Sequence, residues 1–505
     1  MNRTITASLA TALGIMSGCA TQHAPSPAVA MGDPPTQDTT PAAAATPPTF
    51  PVVDYAQEWV RLNEEALPPE GRLWDAENAW PLFVQWLKDF RREEALAFGW
   101  SPTERESFKQ QSPDEMQDSP FISLYIPADP TDTTADATMS QAVAGLGHIK
   151  KTDLLPRLQR LAAMRRVVRP KETRETLVGA SLSELSAIRG AARMETARLA
   201  QCLEKDDSAG AVDAMSECLS LARLARYEPM LIGAYVAVAV EGALFSALEE
   251  RAAGLLNSPT ELQRAALVLQ DHVACTPPWS YTVRSELTMV KDAIQNTYKS
   301  FGEADAPTPG QMITLVGSVS EMDDDAVEVM RRSTEGFKAR SESVQLAEKL
   351  YGLISMALES PHYARQTVDL SKAVKDAEDN MVLSVVLMNI DGTFRTADAN
   401  RADVAGIRLM LAVEQYGVKH QALPEKLADV VPEFLNSVPI DPFDATGFKY
   451  KRVDTTASPR GYLLYSIGLD GVDNGGKQHP TTNRWALSAR EGVGYDYVIV
   501  GPSPE

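Results

Sequence analysis

Histidine is the usual general base near neutral pH, and this chain of 505 residues has six: His23, His148, His272, His362, His420 and His479. None sits in an HExxH pattern, and neither GxSxG nor SxxK occurs. Zinc-hydrolase and serine-nucleophile chemistry therefore has no local signature. A triad built from distant residues stays open, because triads are defined by geometry. Each histidine reads first as a surface or hydrogen-bonded structural residue. Glycoside cleavage needs two placed carboxylates, but with 68 acidic residues no pair stands out. Acids such as Glu184 and Glu195 read as part of an acidic surface. Asp323-Asp324-Asp325 reads as the acidic start of a helix. Gly471 to Lys477 matches GxxxxGK, yet Gln478 stands where a P-loop needs Ser or Thr, and Pro480 where its helix would run. No nucleotide site is expected.

Two other groups could do chemistry. Five of the seven tryptophans fall between residues 59 and 100. Trp80 and Trp86, on a helix expected from Asn78 to Arg91, fit a stacking platform for a glycan or peptide. The same spacing fits an aromatic subcore that docks this segment on the body. Beyond Cys19, the cysteines are Cys202, Cys218 and Cys275. If Lys205 to Ser208 turns a helical hairpin, Cys202 lies opposite about residue 211. Cys218 is then roughly 10 Å further along at 1.5 Å per residue, too far for a disulfide. Three buried thiols are expected, and without CxxC no zinc or thioredoxin-like site.

These residues must be positioned by helices. Hydrophobic residues make up 44% of the chain and charged residues 23%, a globular balance with ample core material. From Asp54 to about Arg395, apolar residues recur at three- and four-residue spacing. Examples are Leu154, Leu155, Leu158 and Leu161, then Leu185, Ile188, Ala192 and Leu199, then Val344, Ala347, Leu350, Tyr351 and Ile354. Such stripes are amphipathic helices that need partners. Pro229 to Leu248 is apolar enough for a membrane span, but Glu241 near its middle is unfavourable in lipid. A helix buried in a bundle, with a partner for Glu241, is the expectation. The formal net charge of −20 excludes nucleic acid as a natural partner and argues against electrostatic adhesion to anionic lipid.

The N-terminus reads as an address. Arg3 is followed by a short apolar run, Ile5 to Met16, too short to span a bilayer and shaped like a secretory signal. It ends in Met16-Ser17-Gly18-Cys19, which resembles the lipobox of bacterial lipoproteins. That resemblance implies cleavage before Cys19, acylation of its sulfur and a membrane anchor through the lipid. Residues 1–18 are then the signal. Residues 19–53, rich in Ala, Pro and Thr, form an extended tether.

The texture changes after residue 395. A helix from Asp398 to Tyr416, ending at Gly417, precedes a short helix near Leu427 to Val431. Strands follow at Phe448–Lys451, Gly461–Ile467 and Tyr495–Val500. The order AVEQY, VPIDPF, FKY, GYLLYSIGLDG and an Asp/Gly loop resembles the globular part of type II secretion major pseudopilins. The likeness covers about 100 residues. The chain also resembles uncharacterised exported proteins of planctomycete type with similar tails. The pseudopilin resemblance implies a calcium loop, in which Asp470 and Asp473 would supply carboxylates and Leu469 a carbonyl. Thr481 and Thr482 stand where the family has later acids, so a plain turn held by Asp and Asn side chains is the competing expectation.

The expected architecture is mainly α: a multi-helix array over residues 54–395, then an α+β unit over 396–505 with a helix on an antiparallel sheet. The expected function is a lipid-anchored cell-envelope protein facing the periplasm or the outside. It would act as a non-catalytic binding or scaffold protein whose pseudopilin-like module touches an envelope or secretion-system protein. The alternative is a periplasmic hydrolase or lyase acting on cell-wall or polysaccharide material, which would need a cleft with convergent carboxylates beside the tryptophans.

Overall fold

The computed structural model describes residues 52–73, 75–99, 121, 135–173, 176–177, 183–251, 255, 258–299, 338–365, 368–386, 389–456, 458–479 and 494–501. Cys19, the leader, most of the tether and Asp323–Asp325 lie outside these residues.

Side-chain caps set where several helices begin. Asp54 accepts from the Gln57 amide at the start of α1 (Tyr55–Glu65). Asn78 opens α2 (Ala79–Phe98), which closes on Gly99 in the left-handed region. Next come α3 (Ala135–Ile149) and α4 (Leu154–Ala163). The hairpin expected at Lys205–Ser208 joins α5 (Ser183–Glu204) to α6 (Ser208–Arg226), with Asp207 accepting from the Gly210 amide. After α7 (Leu231–Arg251), Ser258 caps α8 (Pro259–Cys275), with Pro259 in its first turn. Then follow α9 (Trp279–Lys299), α10 (Arg340–Glu359), α11 (His362–Arg365), α12 (Ser371–Glu378) and α13 (Met381–Val386). The last helix, α14 (Ile390–His420), leads to the sheet.

The core is built around α6, which packs against α4, α5, α7 and α8. Its residues from Leu219 to Arg226 are all buried. One apolar cluster runs from Trp86 and Phe90 through Leu219, Leu244 and Leu269 to Leu411, Tyr462 and Val500. A second joins Val290 and Ile294 of α9 to Leu350 and Ile354 of α10. Among the described residues, α7 contains one stretch, Leu231–Glu249, long and apolar enough to cross a membrane, and 72% of that stretch is buried inside the protein. It is a core helix of this bundle. Cys202, Cys218 and Cys275 are free and buried.

The C-terminal unit is a helix on a three-stranded antiparallel sheet. The strands are β1 (Lys449–Arg452), β2 (Tyr462–Ser466) and β3 (Tyr497–Val500), in the order β1-β2-β3. Tyr450 faces Leu464, and Tyr465 faces Val498 beyond an irregularity at Leu464/Tyr465. Helix α14 is longer than expected at both ends. Thr393, Phe394 and Ala397 are buried, which extends it backward, and it runs through Gly417 to a left-handed Gln421. A glycine inside a helix costs only about 1 kcal/mol. The Tyr416 and His420 rings, with centroids 4.3 Å apart, bracket the final turn. The boundary expected at 395/396 thus falls inside one helix, and a single core includes both sides of it.

Candidate functional site

Trp80 and Trp86 are core residues, which corrects the expectation of a stacking platform. Trp86 is 0% exposed. Its indole N–H donates to the Leu154 carbonyl at 2.9 Å, and its ring stacks on Phe90. Trp80 is buried against Phe83 with the Arg169 guanidinium over its ring. The anchoring carbonyl comes from another helix, so both rings lock α2 onto the body. Neither leaves a face for a sugar.

The Asp/Gly loop is held by its own carboxylates. Asp470 accepts from the amides of Val472 (3.0 Å) and Gly494 (2.9 Å). Asp473 accepts from the Tyr465 hydroxyl (3.1 Å) and the Gly475 amide (2.9 Å). Asp496, which sequence reasoning missed, takes the amides of Asn474, Gly476 and Lys477 at 3.1, 2.6 and 3.2 Å. Burial nevertheless holds the Asp496 carboxyl above its ordinary range, against the pull of those three amides. Gly468, Gly471, Gly475 and Gly476 all take positive φ, the conformation that lets so many amides turn inward. Leu469 is half-buried against the core. Among the described residues, no three His, Cys, Asp or Glu side chains converge as a metal site. Thr481, Thr482 and Trp485 lie outside those residues. The Lys477 ammonium sits over the Tyr495 ring, 4.7 Å from its centroid.

Four histidines each face a carboxylate. His148 Nε2 is 2.9 Å from Glu93, and His420 Nε2 is 3.0 Å from Glu433. His362 Nδ1 is 3.6 Å from Asp398, whose two oxygens accept from Arg365 at 2.6 and 2.7 Å. His272 Nε2 is 3.0 Å from Glu241 in the core, and the other Glu241 oxygen accepts from the Asn400 amide. Glu241 thus has the partner its sequence position demanded. Nearby, Arg226 is stacked over Trp279 at 3.8 Å; burial pulls its guanidinium down to about 10 while Glu241 opposes this. Glu195 is not on the acidic surface. It is fully buried, and Arg198 bridges it to Glu217 at 2.7 Å on each side. Burial pushes Glu195 up and Glu217 to about 9. One guanidinium between two buried carboxyls leaves room for a retained proton.

The site open to a ligand is a groove between α8 and α14, closed at one side by residues 432–436, with a volume of about 670 Å³. That is the scale of ligand pockets, about 300–1,000 Å³. Leu262, Ala266, Leu269, Leu411 and Ala412 floor it. Leu267 stands on its wall, 56% exposed. Glu433 is held by Lys419 and His420, and those two hydrogen bonds, Lys419 first, keep its carboxyl below the ordinary range. Half-buried Arg408 forms no ion pair with any described residue. A second groove, between α1 and α9, differs in charge. There Arg61 binds Glu58 and Glu65, and Arg284 reaches Glu65 at 2.9 Å.

No family model matches the chain, no characterised protein matches its sequence, and no solved structure matches its fold.

Proposed function

We propose that this protein is a lipid-anchored member of the cell envelope that binds another envelope or secretion-system protein and carries out no catalysis of its own. The observation that supports this most is the α8–α14 groove. It has an apolar floor, an exposed leucine and, in Arg408, a cation without an ion-pair partner among the described residues. A concave site of this size with an apolar floor and a few polar groups is the usual form of a binding pocket. The groove is built jointly by the helical body and the C-terminal unit. A pseudopilin-like module set on an array of helices would therefore meet its partner at the seam between them. The order helix, β1, β2, β3 agrees with that resemblance. Acylated Cys19 and the tether would hold the body at the membrane. The buried carboxylates fit the same reading, because their partners are Arg198, His272, Asn400 and Arg365 rather than an open cleft.

The test is a photo-crosslinking amino acid placed at position 267 in cells, with position 96 on α2 as the exposed control. A discrete adduct from 267 that is absent from 96 is expected. Equal labelling from both positions, or none from 267, would contradict the reading.

A further inference from the structure

The groove also carries information about what enters it. From its geometry and charge we infer that it takes an extended peptide segment with an Asp or Glu at one end and apolar residues at alternate positions along the rest. This deepens the partner-binding reading and rests on it.

Three observations converge. The first is charge. The chain has a formal net charge of −20, yet the cation at one end of this groove, Arg408, is left without an acidic partner among the described residues. A carboxylate is the best planar partner for its guanidinium. The second is the rim. Gln263, Gln270 and Asn436 line the groove, and their side chains form no hydrogen bond with described residues. Gln415 uses only its NH₂, donating to the Leu411 carbonyl at 3.2 Å, so its oxygen stays open. Amide side chains offer both a donor and an acceptor, the pair an extended backbone needs at each residue. A helical ligand satisfies its own backbone and would leave these amides unused. The third is length. Arg408 and Lys419 lie on one helix at the two ends of the α14 wall. Eleven residues at 1.5 Å span roughly 16 Å, which an extended strand covers in about five residues at 3.3 Å each. Alternate side chains of such a strand point to opposite faces. Its inward positions then meet Leu262, Ala266 and Leu411, with the acid over Arg408.

The test uses the purified full-length protein and a phage-displayed library of linear heptapeptides. Selection on the wild type, with counter-selection on Leu267→Asp, is expected to enrich one Asp or Glu with apolar residues at alternate positions to one side of it. Synthetic winners, acetylated and amidated so that only the side chain is anionic, are then titrated by fluorescence anisotropy. Arg408→Glu is expected to weaken them roughly tenfold or more, the worth of one charge-assisted hydrogen bond, and to select Lys or Arg in their place. Arg408→Lys should restore part of the binding. Circular dichroism melts check that each variant is folded, and Leu267→Ala serves if Leu267→Asp is not. Enrichment without acids, binding indifferent to Arg408→Glu, or a groove filled by a second copy (a dimer that Leu267→Asp dissociates) would each overturn the inference. A specific adduct at position 267 in cells alongside such a failure would leave the partner-binding reading standing. Loss of both would remove both.

Discussion

Glu241 Oε1 and His272 Nε2 lie 3.0 Å apart in the buried seam between α7 and α8, and Asn400 of α14 reaches the other oxygen of the same carboxylate. Three helices are pinned through one acid. Removing one member of such a buried set leaves the others uncompensated, at a cost of about 3–5 kcal/mol. Glu241→Ala should therefore lower the urea midpoint sharply. Glu241→Gln, which keeps the shape and one acceptor, should lose less. Equal midpoints for Glu241→Ala and wild type would show that the seam does not depend on this carboxylate.

Burial raises Glu286 from 4.5 to about 7, while the Leu231 amide pulls the other way. In the unfolded chain this acid ionises near 4.5, so between that pH and about 7 the folded state holds the extra proton. Its contribution is fully present below 4.5 and is lost as pH rises. The span corresponds to roughly 3 kcal/mol. Glu286→Gln should flatten this part of the pH profile and be the more stable protein at pH 8, with the advantage fading toward pH 5. Denaturant midpoints across pH 5–8 check this. A wild-type-minus-variant difference that is constant with pH would contradict it. Asp441, raised by burial to about 6, adds a smaller slope of the same sign.

In the Asp/Gly loop, Asp496 binds three amides and Asp470 two. Asp496 joins the loop to the start of β3, whereas Asp470 is the more exposed of the two. Each amide left without a partner in a buried turn costs about 1–3 kcal/mol. Asp496→Ala should therefore depress the melting temperature by several degrees, and Asp470→Ala by less. With these oxygens already engaged, Ca²⁺ and EGTA should give the same melting temperature. A rise with Ca²⁺ that Asp470→Ala removes would reassign the carboxylates to a metal.

Trp86→Ala opens a core cavity, and loss of a large aromatic typically costs about 3–5 kcal/mol. Acrylamide quenching of Trp86, isolated by replacing the other tryptophans with phenylalanine, should be weak and unchanged by soluble cell-wall oligosaccharides. Protection from quenching by sugar would restore the stacking platform.

Much of the fold was legible in the sequence. The hairpin at Lys205–Ser208 and the α14-then-sheet order rest on local signals: polar turn residues, glycines and periodicity. The full length of α14 was not, because Gly417 reads as a stop unless the packing around it is known. The candidate site was illegible for a related reason. Leu267, Gln263 and Arg408 look like ordinary helix-surface residues, and only the approach of α8 to α14 turns them into a groove. Trp80 and Trp86 left two readings open in the sequence, since aromatic spacing on one helix fits a platform as well as a core, and their burial selects the core. Asp496 was hidden by its separation of about twenty residues from the amides it binds.

The proposed function rests on one untested link, a membrane anchor through the sulfur of Cys19. Mass spectrometry of the mature N-terminus, on protein taken from the membrane fraction, tests that most directly. The account predicts a chain beginning at Cys19 with a thioether-linked diacylglycerol. A free thiol at that position, or a chain still carrying residues 1–18 in the soluble fraction, would contradict it.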